Sequence, residues 1–83
     1  MVNAVVPAAE LDDAALKLAR QLALAPPLAV KAILASVGLG LEQGVQKGLD
    51  AERENFGWVY PTEDARIGRH AFFTKEKPEF KGR

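Results

Sequence analysis

The chain has 83 residues, with 11 lysines and arginines balanced by 11 aspartates and glutamates, no cysteine and a single histidine. This composition excludes disulfides and thiolate metal sites, argues against zinc, and at zero net charge argues against a general nucleic-acid binder. At this length one hydrophobic core contributes only about 3–5 kcal/mol of net stability, so self-association or a further domain is expected.

The first nine residues predict an extended lead-in to the helices. A β-branched run, Val2–Val6, ends at Pro7 and predicts a short strand, which must pair with other sequence or stay irregular. No basic flank or long apolar run marks a signal peptide, and no stretch approaches the ~20 apolar residues that cross a bilayer. We therefore expect a cytoplasmic protein with no membrane partner.

Residues 10–83 predict an all-α fold of about four helices. The first is expected at about Leu11–Leu24, with acidic residues in its first turn and two prolines behind it. Its apolar positions recur on one face, which is typical of a helix that packs on a neighbour.

The second helix is expected to begin at Pro27, because the missing amide of proline is tolerated in a first turn. Nearly every residue from Leu28 to Val37 is apolar. A helix that is apolar on all sides is normally buried on all sides, and three other short helices cannot enclose it. We infer a large surface for another chain or another domain. We also expect Gly38 and Gly40 to bend or break the helix, because glycine weakens helices.

The third helix is predicted at about Leu41–Val59. Gly44 and Gly48 lie four residues apart on one side of it, which favours the close approach of another backbone. Pro61 is expected to end this helix.

The last helix is predicted to begin after Thr62, whose hydroxyl can cap free amides, with two carboxylates favourable at the positive end of the dipole. Helical spacing places Phe72 on the inward face. Lys75 lies where the helix should end, and Pro78 closes it.

Charge is unevenly distributed along the chain. From Arg66 onward there are six cations and two anions, so this end carries a charge of +4 against −4 for the rest. A basic segment of this kind favours a phosphorylated or acidic partner. The alternative is an ordinary solvated helix end.

No arrangement of side chains predicts a catalytic or metal centre. The sequence has no glycine-rich phosphate loop, nucleophile elbow or metal-ligand spacing. His70 has no carboxylate three or four residues away to orient it, so a surface or interface role is favoured over catalysis. Glu52 and Glu54 are two residues apart and point to different faces of a helix, so they cannot act as an acid–base pair.

Several stretches nevertheless form a specific pattern. They are the opening Val2–Pro7, the helix ELDDAALKLARQLAL, the start PPLAVKAI and the segment TEDARIGRHAFFTKEKPEF. Over almost its whole length the sequence resembles the C-terminal segment of the enoyl-CoA hydratase/isomerase (crotonase) family. The last stretch is the most specific; it departs from the family pattern at Ile67, where Glu is usual, and at Glu76, where Arg is common.

The resemblance implies that the N-terminal and C-terminal parts of these enzymes have different roles. In such enzymes the active site belongs mainly to an N-terminal spiral α/β core, which these residues do not contain. The C-terminal helices cover the site, drive assembly into trimers or hexamers and contact the nucleotide of coenzyme A (CoA), often that of a neighbouring subunit.

By this resemblance, Phe56 and Phe72 would flank the adenine of CoA and Lys75 would approach its phosphate. Aromatic faces suit adenine, and a lysine at a helix end suits a phosphate. The alternative is structural: both phenylalanines lie at core spacing, and Lys75 can complement the helix dipole.

Two hypotheses follow. The first is a C-terminal fragment or truncated member of the family, residues 1–83 forming its helical region. It would act in acyl-CoA (fatty acid) metabolism through oligomerisation, active-site cover and CoA contacts, and would be inactive alone. The alternative is a standalone helical homo-oligomeric interaction protein with no CoA chemistry.

Overall fold

The computed structural model describes residues 2–83. The predicted extended lead-in includes Met1, which lies outside the described residues. In chain order the described part contains a 3-10 turn, Ala8–Glu10, and four α-helices: α1 Leu11–Ala23, α2 Pro27–Gln43, α3 Val45–Val59 and α4 Glu63–Thr74. Every regular element in this part of the chain is helical. The prediction of an all-α fold with about four helices is confirmed.

The predicted strand at Val2–Val6 is wrong: residues 2–7 form no strand. Val2 and Val5 are largely exposed. No second strand in the described residues offers backbone partners, so the run stays irregular, which is the other outcome that the sequence allowed. The lead-in is also shorter than predicted, since Glu10 N donates to Pro7 O at 2.9 Å and starts the helical turn.

The first helix lies within one residue of its prediction. Asp12 and Asp13 occupy its first turn, and the chain leaves the helix at Leu24, whose N–H still donates to Arg20 O at 3.2 Å. Its leucines are largely exposed, because α1 makes only sparse contact with the other helices.

The predicted break of the second helix is wrong, because α2 continues through Gly38 and Gly40 to Gln43. The turn comes at Gly44 instead, with φ +98°, a conformation that glycine adopts without steric cost. This one residue joins α2 to α3, which therefore starts at Val45 rather than Leu41.

The α2–α3 hairpin is the main packing unit of the chain. Gly40 and Gly48 lie on either side of the turn, and a Cβ added at Gly48 would lie 2.9 Å from Gly40 Cα. The prediction of a close backbone approach is therefore confirmed at Gly48. It is wrong at Gly44, which lies outside α3 and where an added Cβ would meet nothing within 4 Å. Further along, Asn55 Nδ2 donates to Ser36 Oγ at 2.8 Å and to Ala32 O at 3.3 Å, which fixes the antiparallel register.

The fourth helix begins as predicted. Ala65 N donates to Thr62 Oγ1 at 3.2 Å, and that hydroxyl donates to Val59 O at 2.6 Å, linking the end of α3 to the start of α4. The prediction that Phe72 faces inward is wrong, since its side chain is 80% exposed. Its neighbour Ala71 is the buried apolar residue of α4, at 8% exposure.

The described chain has little enclosed core. Its radius of gyration is 15.8 Å and its extents are 43 × 38 × 19 Å, whereas a compact domain of this length has a radius of about 12 Å. The accessible surface is 7058 Å², against about 4,900 Å² for a typical folded monomer of this mass. The molecule is a flat slab of helices with apolar side chains on its surface.

Among the described residues, no single helix has the length and apolar composition of a membrane span. The segments Ala8–Ala23 and Pro27–Gln43 meet those two requirements only when taken together, and they are bent by 106° relative to each other.

Candidate functional site

Phe56 lies on α3 at the surface of the hairpin. Its ring is 5.4 Å from that of Tyr60, one turn later, and the Phe56 side chain is 65% exposed. It lines two grooves, one of about 360 Å³ between α2 and α3 and one of about 310 Å³ between the hairpin and α4. Both are predominantly apolar, as expected of a surface that a planar ring or an aliphatic chain can cover.

Phe72 and Lys75 lie together at the end of α4. Phe72 packs edge-to-face on Phe73, with ring centroids 5.5 Å apart and an interplanar angle of 84°. Lys75 follows the helix in the left-handed conformation, with φ 58°, and is exposed. This end of α4 thus offers an accessible aromatic face and an exposed ammonium group, the chemistry that suits a purine next to a phosphate.

The three predicted residues do not line one cavity. Phe56 lines both apolar grooves, and neither groove includes Phe72 or Lys75. Within one described chain, the predicted site is therefore split between the hairpin surface and the far end of α4.

Arg69 is one of the six cations of the basic segment, and its contact with Tyr60 was not predicted from the sequence. Its guanidinium lies 4.4 Å from the centroid of the Tyr60 ring, and Nη1 donates to Tyr60 O at 3.1 Å. The sequence does not indicate this contact, because Tyr60 directly follows α3, whereas Arg69 lies nine positions later within α4. Arg69 also lines the groove between the hairpin and α4, so it adds a positive charge to that groove.

Asp64 is the most deeply buried residue of the described chain, at 2% exposure. Its carboxylate accepts from Lys81 N at 2.6 Å and from Gly82 N at 2.7 Å. Its position after Thr62 predicted a favourable interaction with the helix dipole, but not these contacts, because their partners lie 17 and 18 residues later in sequence.

Part of the basic segment is neutralised within the chain. Arg83 Nε donates to Glu63 Oε2 at 2.7 Å, and this hydrogen bond to a carboxylate raises the pKa of the already basic Arg83. Lys81 Nζ lies 3.9 Å from Glu79 Oε2, whereas Lys75 makes no such ion pair. Lys75 is thus a cation of this segment that remains available to a ligand.

The sequence as a whole matches one family profile, described as enoyl-CoA hydratase/isomerase, over residues 1–83. The chain belongs to the enoyl-CoA hydratase/isomerase family. The resemblance noted in its motifs is therefore confirmed, including its placement in a crotonase-type fold.

Named relatives show which part of the family fold is present. The chain is 37% identical over 83 residues to 2,3-dehydroadipyl-CoA hydratase of Escherichia coli K12, covering 100% of this chain and 32% of that protein. It is 39% identical over 87 residues to carnitinyl-CoA dehydratase of Proteus mirabilis, covering 100% and 33%. The chain thus spans about a third of the length of these enoyl-CoA hydratase/isomerase relatives.

A solved structure of the family has the same helical arrangement. The crystal structure of a probable enoyl-CoA hydratase/isomerase from Mycobacterium abscessus matches with a TM-score of 0.87 and 31% sequence identity. The match covers 94% of this chain and 30% of that one.

Proposed function

We propose that this chain serves as the C-terminal helical region of an enoyl-CoA hydratase/isomerase, where it supports subunit association, covers an active site and contacts the nucleotide end of CoA. The proposal rests on the apolar helix α2, which this chain leaves largely uncovered. Ile33, Leu34, Val37 and Leu41 are each more than half exposed although the helix already packs on α3.

Two surfaces support this role. At about 25 cal/mol for each Å² of apolar area removed from water, covering α2 with another chain or a catalytic core is strongly favourable. The exposed ring of Phe72 and the ammonium of Lys75 suit the other element of the proposal, an adenine beside a phosphate.

Association of chains would also bring together the predicted ligand residues, which lie apart within one chain. Phe56 of one copy and the Phe72–Lys75 end of another can approach a single CoA only when chains assemble. We accordingly propose assembly into the trimers or hexamers typical of the family, with an acyl-CoA as ligand.

The chain alone is expected to lack hydratase turnover. Steady-state hydration of a short trans-2-enoyl-CoA by the purified chain should equal the buffer blank, because the proposal places the reacting groups in a core outside these residues. Turnover above the blank, proportional to protein concentration, would contradict the assignment of a non-catalytic role.

CoA contact is tested at Lys75. Lys75→Ala should weaken CoA binding at least about fivefold in a calorimetric titration, since a charge-assisted contact at the surface contributes about 1 kcal/mol. Lys77→Ala is the matched control, because Lys77 is also exposed and lies two residues later, and this variant should leave the affinity unchanged. Equal affinities for both variants and the parent chain would remove Lys75 from the proposed site.

The second candidate is a homo-oligomeric helical interaction protein without CoA chemistry. The separation of Phe56 from Phe72 and Lys75 favours it. A chain that self-associates through α2 but shows no calorimetric response to CoA would support this candidate over the first.

A further inference from the structure

The position of α4 does not depend on extensive helix–helix packing. The α2–α3 pair makes the extended interhelical contact of the described chain, and α4 makes only sparse contact with any other helix. Arg69 connects α4 to the end of α3 through Tyr60. A further connection is therefore needed to hold the rest of α4 in place.

Residues 80–83, which we call the strap, provide that connection on one side. The buried carboxylate of Asp64 accepts the N–H groups of Lys81 and Gly82, one on each oxygen, at 2.6 and 2.7 Å. Asp64 N in turn donates to Arg83 O at 2.8 Å. These bonds attach the strap to the first turn of α4, and those to the carboxylate are charge-assisted and short.

The other side of the strap reaches the hairpin. The Phe80 ring lies against Gly68 of α4, where an added Cβ would be 3.6 Å from its Cε1, and it lines the groove shared with α2 and α3. Gly82, with φ +77°, lies beside the start of α2, since a Cβ added there would be 3.9 Å from Pro27 Cγ. The strap is therefore a bridge between α4 and the α2–α3 hairpin.

We propose that the strap is a closing device for the groove between α4 and the hairpin, with Asp64 as its latch. When the latch holds, Phe80 is seated and α4 stays beside the hairpin. When it opens, the strap leaves, the groove loses the Phe80 wall, and α4 swings about the Val59–Thr62 connection. This proposal does not rest on CoA binding.

Asp64→Ala tests the latch in two measurements. Amide hydrogen exchange at Lys81 and Gly82 should become at least about tenfold faster, because charge-assisted hydrogen bonds are lost. The chain has no cysteine, so Glu52→Cys and His70→Cys place unique spin labels on α3 and α4. Their distance distribution should broaden in Asp64→Ala while far-UV circular dichroism shows retained helices.

Glu63→Gln is the matched control, since it removes the exposed pair with Arg83 but leaves Asp64 intact. An exposed ion pair contributes little, so exchange at Lys81 and Gly82 should change less than about twofold. Unchanged exchange and unchanged label distances in Asp64→Ala would overturn the proposal.

If Asp64→Ala does not fold, amide hydrogen exchange in the parent chain tests the proposal. The amides of Lys81 and Gly82 should then be protected in the parent chain while that of Lys77 exchanges freely. Equal exchange at all three positions would also overturn the proposal.

Discussion

Lys75 combines a backbone conformation that suits glycine with a side chain that suits a phosphate. Its φ of 58° is the left-handed conformation with which many helices end, and it is the only residue other than glycine with positive φ among those described. The left-handed conformation costs about 1 kcal/mol for a residue with a Cβ. A lysine that accepts this cost is consistent with a role for its ammonium group rather than its backbone.

Lys75→Gly should separate the backbone effect from the side-chain effect. It should raise the free energy of unfolding by up to about 1 kcal/mol, because the strain disappears, and it should weaken CoA binding as much as Lys75→Ala does. Chemical denaturation followed by circular dichroism measures the first effect. Lys77→Gly is the control, and a Lys75→Gly chain no more stable than that control would rule out the strain.

At the scale of elements, the α2–α3 hairpin depends on three glycines with different roles. Gly44 provides the turn through its positive φ, while Gly40 and Gly48 allow the two backbones to meet. A glycine inside a helix costs up to about 1 kcal/mol relative to alanine. At Gly40 the close contact with Gly48 of α3 offsets part of that cost.

Gly48→Ala should therefore destabilise the chain by about 1–3 kcal/mol, because the new methyl group would meet Gly40 Cα and Ser36 O at 2.9 and 3.2 Å. Gly57→Ala is the matched control within α3, since a Cβ there meets nothing within 4 Å. It should stabilise the chain by up to about 1 kcal/mol through helix propensity. Thermal unfolding of both variants measures the difference, and effects of the same sign would show that the glycine contact does not hold the hairpin.

For the whole molecule, the main fact is the apolar surface that four helices cannot enclose. The flat shape leaves both the α2 face and the α1 leucines in contact with water. Proteins rarely keep apolar patches of this kind exposed unless another surface covers them. Self-association is therefore expected when the chain is present by itself.

Leu34→Lys tests this expectation. Leu34 is 69% exposed on α2, so a charge there should disrupt an apolar interface without creating a cavity, and light scattering should show a smaller assembly than for the parent chain. Val5→Lys is the control, because Val5 is 87% exposed in the lead-in and is expected to lie outside the α2 interface. A parent chain that is a well-folded monomer at micromolar concentration would contradict association.

Local chemistry made most of the secondary structure readable from the sequence. Pro27 marked the start of α2 and Thr62 the cap of α4, because a missing amide and a capping hydroxyl act within one turn of their own position. The family was readable too, since the motif from Thr62 to Phe80 is carried by residue types and their spacing. The split of Phe56 from Phe72 and Lys75 was not readable, because it depends on how helices are placed relative to one another.

The sequence by itself determined the four helices of the chain, the starts of α2 and α4 at Pro27 and after Thr62, and its family. Tertiary structure alone decided that α2 runs through Gly38 and Gly40, that Phe72 is exposed and that Asp64 holds the strap. The physical reason is the range of the interactions. Helical spacing shows which residues share a face, but only the partner across the interface determines whether that face is buried, whether a glycine is packed, and which distant amides a carboxylate meets.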